Sequence, residues 1–572
     1  MAEPISTFQP LKIKPPWLGT SLRRAVFLLA AMFFVLAAGA AEPGRAAAIF
    51  EVPTFGAKGD GTTMDTGPIQ SAIDAASKAG GGVVWLPAGK YLSGSLHLKS
   101  HVEFHLDRGA VLLGSASRAD YQRDRWYALL LADRQEDIKL SGDGVIDGQG
   151  LRLARDAMRR AALGEFGEET PELRQSQNLS LQLPDAEFSQ KTIRDRANES
   201  ERPMLIEFND CHAIQVSGVT LRNSSGWVET YARCDGLTIE GIKVDSTAYW
   251  NNDGMDITDC RNVQISKCEV NTADDGICLK SGGGGKFGQG DGFSQTNKGC
   301  YNVNISDCRI RSSASALKLG TASYGDFRKI HVSNLTVYDT CRAAIALETV
   351  DGGTIDDVLV ENVTATNTGA AIFLRLGRRN LKAPAGQLQN VTIRNVKVWV
   401  PSGKPDAGYN TVVPYDPAAN ILPSSIAGLP GHPVRNVRLE NLEIFHPGGA
   451  DPKRASVTGD MLDAVPEKAA DYPEFSMFGE LPAWGIYVRH AEGIQFTNVH
   501  FGRQSADYRP AMVLDDVQQV KLAGLTVGPE SKEPDWVLQN VRRADFNETG
   551  NSNLTREKVR FIKDCVDVSG LK

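Results

Sequence analysis

The sequence predicts an all-β chain folded as a single-stranded, right-handed parallel β-helix with a short N-terminal capping helix. Three observations carry that expectation. One phrase recurs, as CHAIQVSGVTL from Cys211, CDGLTIEGIKV from Cys234, CRNVQISKCEV from Cys260, CYNVNISDCRI from Cys300 and FRKIHVSNLTV from Phe327. Each copy alternates apolar and polar residues with period two, the mark of a half-buried strand. Consecutive copies start 23, 26, 40 and 27 residues apart. At that spacing a unit buries its apolar face only by stacking on its neighbours, as a solenoid does. The phrase returns more loosely as LQNVTIRNVKV, PVRNVRLENLEI, EGIQFTNVHF and VQQVKLAGLTV. Right-handedness is an expectation of the fold class, not a reading of the spacing.

Composition narrows the function classes. The 572 residues carry 62 Lys and Arg against 69 Asp and Glu, a net charge of -7, and 23% are charged. That balance excludes a disordered chain and a multi-span membrane protein. It also argues against a general nucleic-acid binder, which needs excess cations to neutralise phosphates. The 56 glycines against 8 tryptophans suit many turns better than long helices.

The elements follow in chain order. Arg23-Arg24 precede an apolar run from Ala25 to Ala41 with Ala38-Gly39-Ala40 inside it. This reads as a signal peptide over 1–40, with a second small-residue match at Ala46-Ala48 that extends the cut to as far as 48. Cleavage after Ala40 removes Lys12, Lys14, Arg23, Arg24 and Glu3, taking the net charge to about -10. The protein is therefore expected to be exported, periplasmic or secreted, with no membrane association after cleavage. Asp65 is expected to cap a helix near Pro68. The β-helix is expected over 49–550, with a C-terminal tail over 551–572. Segment 151–200 opens with the amphipathic LRLARDAMRRAALGEF and reads as an insertion, a lid or wall beside a groove.

Two ladders are expected. Asn334, Asn362, Asn395, Asn441 and Asn498 fill one turn slot, as a stack of amides in preference to glycosylation sites. Cys211, Cys234, Cys260 and Cys300 fill a second slot, Cys268 and Cys308 a third. Export permits disulfides, but nine cysteines are an odd number. Stacked buried thiols are the favoured reading. Zinc is not expected, because no C-x2-C pair or His cluster accompanies them.

The chemistry-bearing residues lie at NNDGMD (251–256) and ADDGICLKSG (273–282). Asp253 and Asp274 are 21 residues apart, about one coil, so both can project into one groove. Turn chemistry or a calcium site is the bland alternative. With the stretch from Phe55 to Ser100, and with GDGVIDGQG, RPMLIEFNDC and LRNSSGWVETYARC, these motifs resemble glycoside hydrolase family 28, the polygalacturonase and rhamnogalacturonase family. The resemblance covers residues 50 to about 365. It implies a pectin-lyase-like solenoid and an exported glycosidase that inverts configuration on a pectin-type polysaccharide or its oligosaccharides, without a cofactor or metal. It implies Asp274 as the acid and Asp253 with Asp275 as bases. Crowding three carboxylates raises the pKa of one, and an inverting pair commonly stands about 6.5–9.5 Å apart. Asp256 is read as structural. The protein is expected to act as a monomer.

The chain departs from the family downstream. Where G-H-G-[LI]-S-I-G is expected it has Ala314-Ser315-Ala316-Leu317-Lys318-Leu319-Gly320. Where the basic R-I-K falls it has Ala346 and Glu348. Either the sugar at the cleavage point is neutral, or other cations hold its carboxylate, with Lys280, Lys318, Arg375, Arg378 and Arg379 as candidates. A structural Lys318–Glu348 pair is the favoured reading of those two. Asn251, Tyr249 and Trp250 complete the expected substrate-binding set, the two aromatics balanced between subsite wall and packing. Two rivals share the fold: a polysaccharide lyase or uronate epimerase with the Asp residues as calcium ligands, and a non-catalytic carbohydrate-binding β-helix.

Overall fold

The computed structural model describes residues 48–162, 201–249, 251–282, 299–405, 421–453, 456–457, 460–529, 534–548 and 555–571. The expected signal peptide, most of the 151–200 insertion and Trp250 lie outside them.

The chain is all-β, and its strands pair in parallel with strands one coil away. The ladder that matters here runs through Ala128–Asp133, Met204–Asn209, Glu229–Ala232, Met255–Thr258, Ile277–Ser281 and Leu317–Ser323. It continues into the long strands Asp326–Thr349 and Thr354–Leu376, then Ser424–Ala427 and Ile486–Arg503. Apolar residues of this ladder stack inward: Phe208, Tyr231, Ile257, Leu279, Leu319 and Leu347 occupy successive coils in one register. The alternate positions, Glu207, Thr230, Asp256, Cys278, Lys318, Ala346 and Phe373, share the opposite face. Period-two alternation therefore sorts the sequence into a core row and a groove row. The coils do not stop at 550. Val559–Phe561 and Val566–Ser569 each pair with an earlier strand inside the expected tail.

The asparagine stack forms as expected. Side-chain amides link Asn334, Asn362, Asn395, Asn441 and Asn498 in sequence at 2.9–3.0 Å. Each has φ between 52° and 57°, a left-handed turn conformation that Asn tolerates better than other side chains. The cysteines of both slots are buried free thiols. The helix Thr66–Lys78 buries Ile69, Ala72, Ile73 and Ala76. Asp65 stands at its N-cap without capping it, because its carboxylate accepts from the backbone N–H groups of Lys58 and Gly59 at 2.7 and 3.0 Å. Gly150–Ala162 is helical where the insertion begins.

Candidate active site

The turns that lead into the groove strands stack on one another. The backbone N–H of Gly254 donates to Asp275 O, that of Gly276 to Ser315 O, and that of Arg342 to Ala314 O. Stacking sets Asp253, the Asp274-Asp275 pair, Ser315 and Arg342 side by side on four successive coils. One carboxylate oxygen from each of Asp253, Asp274 and Asp275 lies within 4.8 Å of the other two. The structure thus brings together the three expected acids, at a closer spacing than the expected 6.5–9.5 Å.

Two lysines hold the flanking acids. Lys280 Nζ is 3.0 Å from Asp253 Oδ2 and also pairs with the fully buried Asp256. Lys318 Nζ, itself 1% exposed, is 3.0 Å from Asp275 Oδ2. Asp275 Oδ1 also accepts the Ser315 backbone N–H at 3.1 Å. Burial alone would raise the Asp275 pKa, but Lys318, Arg342 and Lys280 outweigh it and hold the carboxyl below its ordinary range. Asp274 behaves oppositely. Burial, then the charges of Asp253 and Asp275, push its pKa up to about 7 against the opposing pull of Arg342 and Lys318. Asp274 is also the half-buried member of the three, so it is the one that meets solvent.

Around this centre Asn251 donates from Nδ2 to Asp274 Oδ2 at 3.3 Å and accepts at Oδ1 from Arg202 at 2.9 Å. Asn252 is wholly buried and ties the turn, donating to Ser224 O and Gly226 O. Asp256 serves Lys280, which gives its structural reading a specific content.

The other expected residues take defined places. Lys318 makes the expected ion pair with Glu348, at 4.0 Å, and a shorter one with Asp275, at 3.0 Å, so the pair extends into the acidic centre. Glu348 is nearly fully buried, and burial pushes its pKa to about 8 despite Lys318. Arg375 is buried, and its guanidinium donates to the carbonyls of Gly428, Glu467 and Lys468 at 2.9, 2.7 and 3.2 Å. Tyr249 is 1% exposed and lies under the Arg202 guanidinium. Of the remaining cations, Arg379 pairs with Asp351, and Arg378 donates to Ala383 O.

Sequence reasoning missed the strap between His446 and Ile486. Leu462, Val465, Phe475, Phe478, Leu481 and Ala483 form one apolar cluster with Ala343, Ala346, Ala370 and Phe373 of the groove row. Tyr472 Oη stands 3.5 Å from Lys318 Nζ, and Glu474 pairs with Arg342 at 2.8 Å. This explains Ala346: its position is covered by protein, so a long basic residue has no room there. Arg342 carried a usable signal, being 27 residues after Ser315 and thus one coil on. Tyr472 and Glu474 carried none, because they arrive from a non-repeating loop.

Two family models match the chain, the glycosyl hydrolases family 28 over residues 185–409 and rhamnogalacturonase A/epimerase, pectate lyase-like, over residues 49–115. A probable polygalacturonase of Vitis vinifera is 24% identical over 430 residues, 68% of this chain and 73% of that one. An exo-poly-alpha-D-galacturonosidase of Dickeya chrysanthemi is 28% identical over 263 residues, 41% of this chain and 42% of its own length. Among solved structures, the Yersinia enterocolitica family 28 exopolygalacturonase superposes with a TM-score of 0.59 at 19% identity, covering 84% of this chain and 79% of that one. At that identity the likeness speaks for the fold alone.

Proposed function

We propose that this chain, which belongs to glycosyl hydrolase family 28, hydrolyses glycosidic bonds in a pectin-type polysaccharide or its oligosaccharides with Asp274 as the general acid. The observation that carries the reading is the division of charge. Asp253 and Asp275 each hold a lysine, whereas Asp274 between them is pushed up to about 7. Asp274 gives its proton to the leaving glycosidic oxygen as the bond to the anomeric carbon breaks. A water held between Asp253 and Asp275, whose nearest oxygens are at most 4.8 Å apart, attacks that carbon and yields its proton to one of them. Attack from the face opposite the leaving group inverts the configuration.

The substrate follows from the surrounding charges. Lys280, Lys318 and Arg342 are each paired with a protein carboxylate, so none is set aside for a uronate carboxylate. We therefore favour a pectic polymer with an uncharged sugar at the cleavage point. The strap covers the groove row beyond Lys318, which favours action at a chain end. We further read the stack as right-handed, Thr66–Lys78 as its cap, residues 1–40 as an export signal, the 151–200 insertion as a wall of the groove and the protein as a monomer.

The experiment is product release from polygalacturonate, rhamnogalacturonan and neutral pectic side chains, with Asp274→Asn in parallel. Reducing ends from one substrate, lost in the variant, support the reading. Silence on all of them, with retained binding, overturns it.

A further inference from the structure

Away from the acidic centre, one imidazole joins the strap to the coils through both of its nitrogens. His490 follows Arg489 at a turn and stacks in register with Asp516 of the next coil. Both residues take the left-handed conformation, at φ 50° and 54°. His490 Nδ1 lies 2.7 Å from Asp516 Oδ2, and Nε2 lies 3.0 Å from Oε1 of Glu467, a strap residue. The histidine is 8% exposed. A neutral imidazole has one N–H and one lone pair, so it donates to only one of these carboxylates. The imidazolium donates to both.

The charges around the ring come from three sides. On its own strand, Arg489 reaches the same Glu467 oxygen at 2.8 Å and Asp515 at 3.1 Å, while Glu492 pairs with Arg435 at 3.4 Å. On the strap, Lys468 pairs with Asp471 at 2.8 Å. From an earlier coil, Arg375 holds the carbonyls of Glu467 and Lys468. Burial lowers the His490 pKa and Arg489 adds to that, but the bonds to Glu467 and Asp516 outweigh both and raise it above its ordinary value. Burial raises the Glu467 pKa, but His490, Arg489 and Arg375 together hold it below its ordinary range.

We propose that His490 is a pH-sensitive latch that fastens the 465–471 stretch of the strap to the coil stack when protonated and loosens it when neutral. On deprotonation the Nε2 proton leaves to water. Nδ1 keeps its proton toward Asp516, the nearer carboxylate, and the Nε2 lone pair then faces Glu467. Arg489 stays on Glu467, and Leu462, Phe475, Phe478 and Leu481 stay packed in their apolar cluster. Only the stretch between those anchors lifts. The latch is closed from the carboxylate range up to the raised histidine value and opens as pH rises through it.

The test is hydrogen–deuterium exchange of the full-length protein at about pH 6 and pH 9, with rates corrected for intrinsic exchange. In the wild type, protection of strap peptides over 465–471 is expected to fall about tenfold between the two, the equivalent of one unit of pKa shift. A peptide from Thr66–Lys78 reports any change in the whole molecule. Asp274 and Glu348, raised to about 7 and 8, titrate in the same window near the Tyr472 and Glu474 part of the strap. His490→Gln keeps both acids, so it is expected to show the lower protection at both pH values. Glu467→Gln, which removes the strap carboxylate instead, is expected to do the same and serves if the first variant does not fold. Equal wild-type protection at the two pH values overturns the latch, as does a pH dependence retained in a folded variant. No substrate enters the measurement, so the latch stands or falls apart from the hydrolase reading.

Discussion

Lys318 extends from its own coil to the preceding one and places its ammonium 3.0 Å from the Asp275 carboxylate, with both side chains almost wholly buried. The pair is fixed further by the Ser315 N–H on the other oxygen of Asp275. Ser315 and Lys318 fall in the segment where the family motif is broken. The altered segment therefore still serves the acidic centre, through a backbone donor and a lysine.

Replacing Lys318 with Met removes the charge that holds Asp275 down. The Asp275 pKa then rises, so the base is ionised only at higher pH, and the acid limb of kcat/KM moves upward. Lys318 also pulls Asp274 down, so the basic limb moves in the same direction. Breaking a buried pair costs about 3–5 kcal/mol, so the melting temperature falls as well. A pH–rate profile with both limbs unmoved would contradict this.

Glu229 lies inside the coil stack, not in the groove. Burial pushes its pKa up to about 8, and Tyr231 Oη donates to it at 2.7 Å. A raised folded-state pKa gives stability that is fully present below the ordinary glutamate range and lost as pH rises through 8. Glu229→Gln is expected to remove that dependence, on the order of 3–4 kcal/mol between pH 5 and pH 8. Melting temperatures of the two proteins across that window check it, and parallel curves would count against it.

The repeat made the fold readable. Period-two alternation placed the strands, and one-coil spacing put Asp253 beside Asp274 and the five asparagines in one stack. What the sequence could not convey was how side chains cross between coils. Lys318 reaches both Glu348 and Asp275, and nothing in the spacing says that Asp275 is the nearer. The strap was illegible for a different reason: Tyr472, Glu474 and Phe478 obey no period, so nothing in their spacing says which coil they cover. Arg375 follows from that, since the carbonyls of Glu467 and Lys468 that occupy it belong to the strap.

The strap predicts how products are released. Ala346 and Phe373 are buried beneath it, and the proposed action at a chain end makes a specific product pattern the expected outcome. Digestion should release short products of one size from the outset, while polymer viscosity falls slowly. A rapid fall in viscosity with a broad ladder of sizes would show an open groove.

Stereochemistry separates two uses of the same acids. The nearest carboxylate oxygens are within 4.8 Å, near the ~5–5.5 Å typical of retaining enzymes, yet the paired Asp253 and Asp275 suit holding a water. Proton NMR of the first product formed should show the anomer opposite to that of the substrate bond. Retention would assign one of the two as a nucleophile.

If Asp274 is the proton donor, the pH dependence of kcat/KM on the cleaved substrate follows its titration. The wild type is expected to lose activity as pH rises through about 7, as Asp274 deprotonates, and to keep Asp275 ionised to below the ordinary carboxylate range. Asp274→Asn should fall at least 10²-fold and lose the basic limb. A variant with near wild-type activity and the same basic limb would contradict the account.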